Sequence, residues 1–159
     1  MKINITVNSR KHEWDIKPDA ILLDVLRDNG YVSVKRGCEE GVCGSCAVLV
    51  DGKRRNSCIL FAGQVHNREI TTVEGLGDTH RPHPIQEAFV EAGAVQCGFC
   101  TPGMILATKE LLDNHPDPDE ARIKAALDGN LCRCTGYVKI IDAVKSAARK
   151  CKERSGKKR

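Results

Sequence analysis

Nine cysteines in 159 residues constrain this chain more than any other feature of its sequence. Eight of them fall in two compact groups, and Cys151 stands alone near the C-terminus. The first ten residues alternate apolar and polar side chains as a β-strand does, with no signal-peptide core or twin arginine. We therefore expect a cytoplasmic protein, whose thiols are kept reduced. Because an odd number of cysteines also cannot pair completely, the two groups predict metal binding rather than disulfides.

The first group predicts an iron–sulfur site. Cys38, Cys43 and Cys46 have the C-x4-C-x2-C spacing of plant-type [2Fe–2S] ferredoxins, within a glycine-rich loop, and Cys58 follows after eleven intervening residues. A zinc site with four cysteine ligands is the alternative. Zinc motifs more often pair two C-x2-C units across a longer gap. The spacing therefore favours a [2Fe–2S] cluster.

The second group consists of Cys97-x2-Cys100 and, after 31 intervening residues, Cys132-x-Cys134. Each pair precedes a predicted helix N-terminus, whose partial positive charge favours thiolates and a negatively charged cluster. From the residues alone, a [2Fe–2S] cluster and structural zinc both remain open. A Rieske centre is disfavoured because it needs two histidine ligands, and neither group contains a histidine. We interpret the isolated Cys151 as an ordinary helix residue.

The polarity pattern divides the chain into a strand-rich half and a helical half. Alternation predicts a hairpin from residues 3–7 and 14–16, a second hairpin around Asp51-Gly52, and a strand over 69–73. A short amphipathic helix is predicted over 20–27. In the second half, the pattern predicts four helices: over 85–92, from Thr101 to about Asp113, from Asp117–Asp119 to Gly129, and from Tyr137 to about Lys152. In the second of these helices, Thr101 is the predicted N-cap and Pro102 the first helical residue.

These patterns predict two small domains. We expect the first over residues 1–75, a glycine- and proline-rich linker over 76–84, the helical domain over 85–153, and a basic tail over 154–159. Each half is close to the size, about 70–80 residues, below which a hydrophobic core rarely suffices without a staple. We therefore expect metal–thiolate bonds to stabilise both halves and the metal-free protein to be poorly folded.

Charge and hydropathy disfavour two classes of partner. The net charge is +4, but the last fifteen residues contain eight Lys or Arg against Glu153 alone. We interpret this segment as a solvated helix end. With only 4% aromatic residues and no apolar face beside it, we expect no nucleic-acid partner. No apolar stretch approaches the ~18 residues of a transmembrane helix, so we expect no membrane span.

Three cysteine motifs together resemble one protein family. They are Cys38-Glu-Glu-Gly-Val-Cys-Gly-Ser-Cys46, Gln96-Cys-Gly-Phe-Cys-Thr-Pro-Gly103 and Gly129-Asn-Leu-Cys-Arg-Cys-Thr-Gly-Tyr137. In order and spacing they are similar to the small iron–sulfur subunits of molybdenum hydroxylases, such as xanthine dehydrogenase, aldehyde oxidoreductase, carbon monoxide dehydrogenase, nicotinate dehydrogenase and 4-hydroxybenzoyl-CoA reductase. The resemblance implies an α+β fold, with an N-terminal β-grasp ferredoxin-like domain and a C-terminal four-helix domain. It also implies one [2Fe–2S] cluster in each domain.

The resemblance also implies an electron-transfer role within a multisubunit oxidoreductase. Electrons would leave the molybdopterin of a large subunit, cross both clusters, and reach FAD on a medium subunit or another acceptor. Gln96 matches the family glutamine that contacts the pterin, and Cys134 the ligand closest to it. The chain itself would carry no catalytic residue. By the same resemblance, the molybdenum-proximal cluster is held by Cys97, Cys100, Cys132 and Cys134, and the distal cluster by Cys38, Cys43, Cys46 and Cys58.

Two other functions compete with this interpretation. One is a stand-alone two-cluster ferredoxin that diffuses between partners. Gln96 and the helical domain disfavour it, because they have little purpose without a pterin nearby. The other is a zinc-stapled binding module that uses the basic tail, which the cysteine spacing disfavours. The sequence predicts neither the substrate nor the final electron acceptor, because both would belong to other chains.

Overall fold

The computed structural model describes residues 1–156, so the end of the predicted basic tail, residues 157–159, lies outside the described residues. The first half folds into a five-stranded mixed sheet with the strand order β2-β1-β5-β3-β4. One helix packs on this sheet. The elements of this half are β1 (Lys2–Val7), β2 (Arg10–Asp15), α1 (Leu22–Asp28), β3 (Ala47–Val50), β4 (Lys53–Asn56) and β5 (Glu69–Thr71).

Two tight turns and one parallel pairing build the sheet. Asn8 and Ser9 have φ of 50° and 66°, and Asp51 and Gly52 have φ of 47° and 78°. Positive φ at both turn residues matches the twist of the flanking antiparallel strands, so each turn closes a hairpin. Strand β5 then pairs with β1 in parallel and with β3 antiparallel, which joins the two hairpins into one sheet.

Each half has its own hydrophobic core. In the first half, alternate β1 side chains such as Ile3 and Val7 are fully buried against helix α1, where Leu22 and Leu26 are buried as well. In the second half, four helices surround a core that includes Phe89, and α2 packs along α5. These helices are α2 (Pro84–Glu91), α3 (Thr101–Asn114), α4 (Glu120–Leu127) and α5 (Val138–Gly156).

The α+β architecture predicted from the resemblance is confirmed, but several helix boundaries differ from the sequence prediction. Thr101 is the first residue of α3 rather than its N-cap, which is Cys100. The chain is already turning there, because the Thr101 amide donates to the Gly98 carbonyl. Helix α5 begins at Val138 because Tyr137 has φ 70°, a conformation that no right-handed helix contains.

Three short 3-10 helices in the first half were not predicted. They cover Ser57–Ile59, Ala62–Val65 and Val73–Gly75. The last of these replaces the end of the predicted strand over 69–73. Helix α1 starts two residues later than predicted because Ile21 forms a β-bridge with Phe61. Of the helices in the described chain, none combines the length and apolar character that a bilayer crossing requires.

Candidate metal centres

The first four grouped cysteines lie together at one end of the sheet, and we name them the first tetrad (Cys38, Cys43, Cys46 and Cys58). Three come from the loop between α1 and β3, and Cys58 comes from the 3-10 helix after β4. Cys46 and Cys58 are buried, whereas the other two are half-buried. The thiols approach one another in two pairs, Cys38 with Cys43 and Cys46 with Cys58.

Backbone amides of the loop point at the sulfur of Cys38. The amides of Glu40, Val42 and Cys43 each lie 3.4 Å from its Sγ. Positive φ at Glu39 and Gly41 turns these amides inward. Hydrogen bonds from the three amides lower the pKa of Cys38 to about 6, which favours the thiolate. At the other end of the tetrad, burial first and the neighbouring Cys46 second raise the pKa of Cys58 to about 11.

The second tetrad (Cys97, Cys100, Cys132 and Cys134) joins the loop between α2 and α3 to the loop between α4 and α5. It also consists of two pairs, Cys100 with Cys132 and Cys97 with Cys134. The first pair is half-buried and the second is exposed. Burial, and then the adjacent Cys132, raise the pKa of Cys100 to about 12. The second tetrad therefore has one inner pair and one pair that faces outward.

A closed ring of hydrogen bonds fixes the loop around Cys132. The Cys132 amide donates to the Tyr137 hydroxyl at 2.9 Å, and the Tyr137 amide donates to the Thr135 hydroxyl at 3.2 Å. The Thr135 hydroxyl in turn donates to Cys132 Sγ at 3.1 Å. Gly136, with φ 64°, and Tyr137, with φ 70°, give the loop the left-handed turn that closes this ring.

The two tetrads meet at a junction built from backbone. The Leu131 amide, next to Cys132, donates to the Cys43 carbonyl at 2.9 Å. A methyl group on Gly44 would lie 2.3 Å from the Gly129 carbonyl oxygen, and one on Gly103 would lie 2.4 Å from the Gly44 carbonyl oxygen. Only glycine allows so close an approach. The loops that carry the two tetrads are therefore in direct contact.

A second contact orients the two halves from the side of the sheet. The Arg54 amide on β4 donates to the Glu110 carboxylate on α3 at 2.9 Å, and the Arg54 guanidinium donates to the Ala126 carbonyl at 2.8 Å. Arg54 and Glu110 are both mostly buried. Together with the glycine junction, this contact sets the position of one tetrad relative to the other.

The thiol arrangement fits a two-iron core in each tetrad. In a [2Fe–2S] cluster with four cysteine ligands each iron takes two thiolates, and both tetrads present two close pairs. Across residues 1–156, no three Cys, His, Asp or Glu side chains converge on one point that could hold a single metal ion. N–H and O–H groups aimed at the ligand sulfurs are the contacts by which proteins stabilise such clusters.

Comparison with known proteins assigns a domain type to each half. Residues 5–70 match the 2Fe-2S iron-sulfur cluster binding domain, and residues 72–145 match the [2Fe-2S] binding domain. The chain is 48% identical over 150 residues to the nicotinate dehydrogenase small FeS subunit of Eubacterium barkeri, covering 94% of this chain and 96% of that protein. The chain belongs to the family of iron–sulfur subunits of molybdenum hydroxylases. The resemblance drawn from its three motifs is thereby confirmed.

Solved structures of this family share the whole fold. Quinoline 2-oxidoreductase from Pseudomonas putida 86 contains a chain with a TM-score of 0.92 and 39% identity, with 96% of each chain covered. Aldehyde oxidoreductase from Desulfovibrio gigas matches with a TM-score of 0.93 and 40% identity, covering 97% of this chain but 17% of that one. The family fold thus occurs both as a separate subunit and as part of a longer oxidoreductase chain.

Two further residues singled out from the sequence, Gln96 and Cys151, lie on the surface and on a helix, respectively. Gln96 is exposed and directly precedes the exposed Cys97. Cys151 lies on α5 and packs against the helical core, as expected of a helix residue, and burial raises its pKa. Sequence reasoning missed the hydroxyl of Thr135 and the amide of Leu131. The motif from Gly129 to Tyr137 contains both residues, but its spacing does not reveal that the Thr135 hydroxyl contacts a sulfur or that the Leu131 amide contacts a carbonyl.

Proposed function

We propose that this chain is the electron-transfer subunit of a molybdopterin-dependent hydroxylase. In this proposal the second tetrad holds the [2Fe–2S] cluster nearer to molybdenum, and the first tetrad holds the distal one. Each cluster, when bound, accepts and releases one electron at a time. Electrons would enter from the molybdopterin of a large subunit and leave to FAD on a medium subunit or to another acceptor.

The junction between the tetrads is the observation that carries this proposal. From Cys132 the backbone leads through one residue to the Leu131 amide, which donates to the carbonyl of Cys43. A ligand of one tetrad is thus linked to a ligand of the other by covalent bonds and a single hydrogen bond. A chain that bound two metals for stability alone would not need its two metal loops in contact.

The outward-facing side of the second tetrad supports an entry point for electrons. Cys97 and Cys134 are its exposed pair, and the exposed Gln96 lies beside them. We propose that Gln96 and Cys134 face the pterin. Apolar residues around this pair are also exposed, as expected where a partner subunit covers the surface. They are Val95, Phe99, Leu131 and Val138.

A second exposed apolar group lies near the first tetrad and supports an exit point. Val42 directly precedes Cys43, and Ile59 directly follows Cys58; both side chains are more than half exposed. Phe61 is exposed close by in sequence. We propose that the acceptor, an FAD-containing subunit in the simplest case, covers this side. Entry and exit would then be served by different tetrads, as a relay requires.

A metal count on the protein isolated gently from its own cells tests the proposal. We expect about four iron atoms per chain, two for each core, together with molybdenum in bound partners. About four iron atoms without molybdenum, when no partner subunit co-purifies under these gentle conditions, would instead favour the free two-cluster ferredoxin. Zinc in place of iron, in material protected from oxygen, would contradict both functions.

A substitution in the entry surface tests the location of the large subunit. Phe99→Asp places a charge beside Cys100 and Gly98, where we expect an apolar interface. We expect this variant to retain its iron but to lose most of the co-purified molybdenum. Val32→Asp is the matched control, because Val32 is similarly exposed, lies in the first half, and is distant in sequence from the second tetrad. Equal molybdenum in both variants would show that the partner docks elsewhere.

A further inference from the structure

Thr135 makes two contacts with one cysteine sulfur. Its amide lies 3.4 Å from Cys132 Sγ, and its hydroxyl lies 3.1 Å from the same atom. The hydroxyl oxygen also accepts the Tyr137 amide at 3.2 Å. Because that oxygen already serves as an acceptor, its own hydrogen is free to point at the sulfur. The geometry therefore makes Thr135 a hydroxyl donor to Cys132.

This contact makes the second tetrad asymmetric. In the part of the chain that the structure describes, Thr135 is the one side chain other than a paired cysteine that donates to a cysteine sulfur, and the other donors to these sulfurs are backbone amides. Cys100, Cys97 and Cys134 receive no such hydroxyl within residues 1–156. The Thr135 hydroxyl therefore distinguishes the Cys132 end of the tetrad.

We propose that the Thr135 hydroxyl sets the reduction potential of the second [2Fe–2S] site by stabilising the added electron at the Cys132 end. This inference rests on the proposed function, in which the second tetrad passes electrons. Reduction adds one electron from the molybdenum partner and one negative charge to the site, and no bond is made or broken. A hydrogen bond to a ligand sulfur is stronger when the site carries more negative charge, so it favours the reduced form.

Cys132, whose sulfur Thr135 contacts, lies on the side of the second tetrad that faces the first tetrad. Cys132 follows Leu131, whose amide contacts the Cys43 carbonyl of the first tetrad. The exposed pair, Cys97 and Cys134, lies at the opposite end. With a cluster bound, the Thr135 hydroxyl would stabilise an added electron at the inner pair, which is the side in contact with the first tetrad through Leu131. Thr135 acts through Cys132 and is a positioning residue rather than a catalytic one.

The test is the reduction potential of each site in the intact complex, measured by a redox titration followed by electron paramagnetic resonance. Thr135→Val keeps the shape and removes the hydroxyl. We expect the reduced-to-oxidised ratio of the second site to fall about tenfold at a given potential, which corresponds to about 59 mV for one electron. The first site should keep its potential. Thr135→Ser retains the hydroxyl, so the second site of this variant should have the potential of the unaltered protein.

Thr101→Val is the matched control. Thr101 directly follows Cys100, and its hydroxyl makes no hydrogen bond within residues 1–156. This variant should leave both potentials unchanged. The inference would be overturned if the second site of an iron-loaded Thr135→Val variant kept its potential. It would also be overturned if Thr135→Ser shifted that potential as much as Thr135→Val does. Both results would leave the proposed function intact, whereas an unaltered protein without a second cluster would contradict that function itself.

A measurement on the unaltered complex keeps the inference testable if Thr135→Val does not retain iron. Hydroxyl protons exchange with D2O faster than hydrogen-bonded backbone amides. After a brief transfer into D2O, pulsed electron paramagnetic resonance of the reduced second site should show a coupled deuteron. Thr135→Ser should show the same coupling. Its absence from the unaltered complex would mean that no hydroxyl donates to this site, and the inference would be wrong.

Discussion

At the scale of single residues, the junction between the tetrads depends on glycines that leave no room for a side chain. Gly44 has φ 71°, and a methyl group there would lie 2.3 Å from the Gly129 carbonyl oxygen. We expect Gly44→Ala to separate the two metal loops and to lower the free energy of unfolding by about 3–4 kcal/mol, since a backbone clash adds to the cost of positive φ. Chemical denaturation of the iron-loaded protein measures this difference.

Gly52 provides the control for that substitution. It has φ 78°, but no atom lies within 4 Å of the position a methyl group would take. Gly52→Ala should therefore show only the conformational cost, about 1–2 kcal/mol. If both variants lose the same stability, the close contact at Gly44 contributes nothing beyond backbone strain, and the junction is looser than its geometry indicates.

Residue-level prediction from the sequence is strongest where spacing alone constrains chemistry. Three ligands within nine residues must wrap one compact site, so Cys38, Cys43 and Cys46 were readily grouped. The hydroxyl contact of Thr135 could not be predicted in the same way. It depends on the left-handed conformation of Tyr137, a residue type that rarely adopts positive φ. The assignment of Gln96 to the pterin remains a prediction.

At the scale of secondary-structure elements, hairpins were predicted more accurately than helix ends. The pair Asp51-Gly52 specifies its turn through local backbone preference, and it closes the β3–β4 hairpin. The start of α1 instead depends on a bridge between Ile21 and Phe61, forty residues apart. The parallel pairing of β1 with β5 likewise depends on long-range packing. Local patterns predicted the elements, and distant contacts determined their ends and order.

Glu74 joins the loop after α1 to the segment that follows β5, and its charge makes this contact pH-dependent. Its carboxylate accepts hydrogen bonds from the Ser33 amide and hydroxyl and from the Thr72 hydroxyl. Burial raises the pKa of Glu74, but the hydrogen bonds from these donors together lower it by more, so its pKa lies below its ordinary value. A carboxyl with a lowered folded-state pKa stabilises the protein above its unfolded pKa of about 4.3, and this contribution is lost as the pH falls through the folded value.

We therefore expect Glu74→Gln to cost about 1–2 kcal/mol of unfolding free energy at neutral pH. The difference from the unaltered protein should shrink below about pH 4, where both carry an uncharged side chain. Denaturation at a series of pH values measures this. Glu153→Gln is the control, because Glu153 is exposed on α5 and makes no ion pair within residues 1–156. A pH-independent cost at Glu74 would contradict the role of its charge.

At the scale of the whole molecule, two separate hydrophobic cores are joined through the loops that carry the cysteines. One core contains the sheet and α1, and the other contains the four helices of the second half. Between them lie the glycine junction and the Arg54–Glu110 contact. The loops themselves contribute little apolar surface, because most residues around the second tetrad are half-buried or exposed. Cluster binding would therefore hold these loops, and with them the two cores, in place.

Removing the iron should consequently unfold more than the metal loops. Each half is near the size at which a core alone supplies only about 3–5 kcal/mol. Free thiols would not replace the metal–thiolate bonds of the proposed clusters. We expect chelated protein, kept reduced, to lose much of its helix signal in circular dichroism and to melt without a cooperative transition. Reconstitution with iron and sulfide should restore both. If the chelated protein keeps its helix signal and a single sharp melting transition, the two cores are self-sufficient, and the clusters serve electron transfer without stabilising the fold.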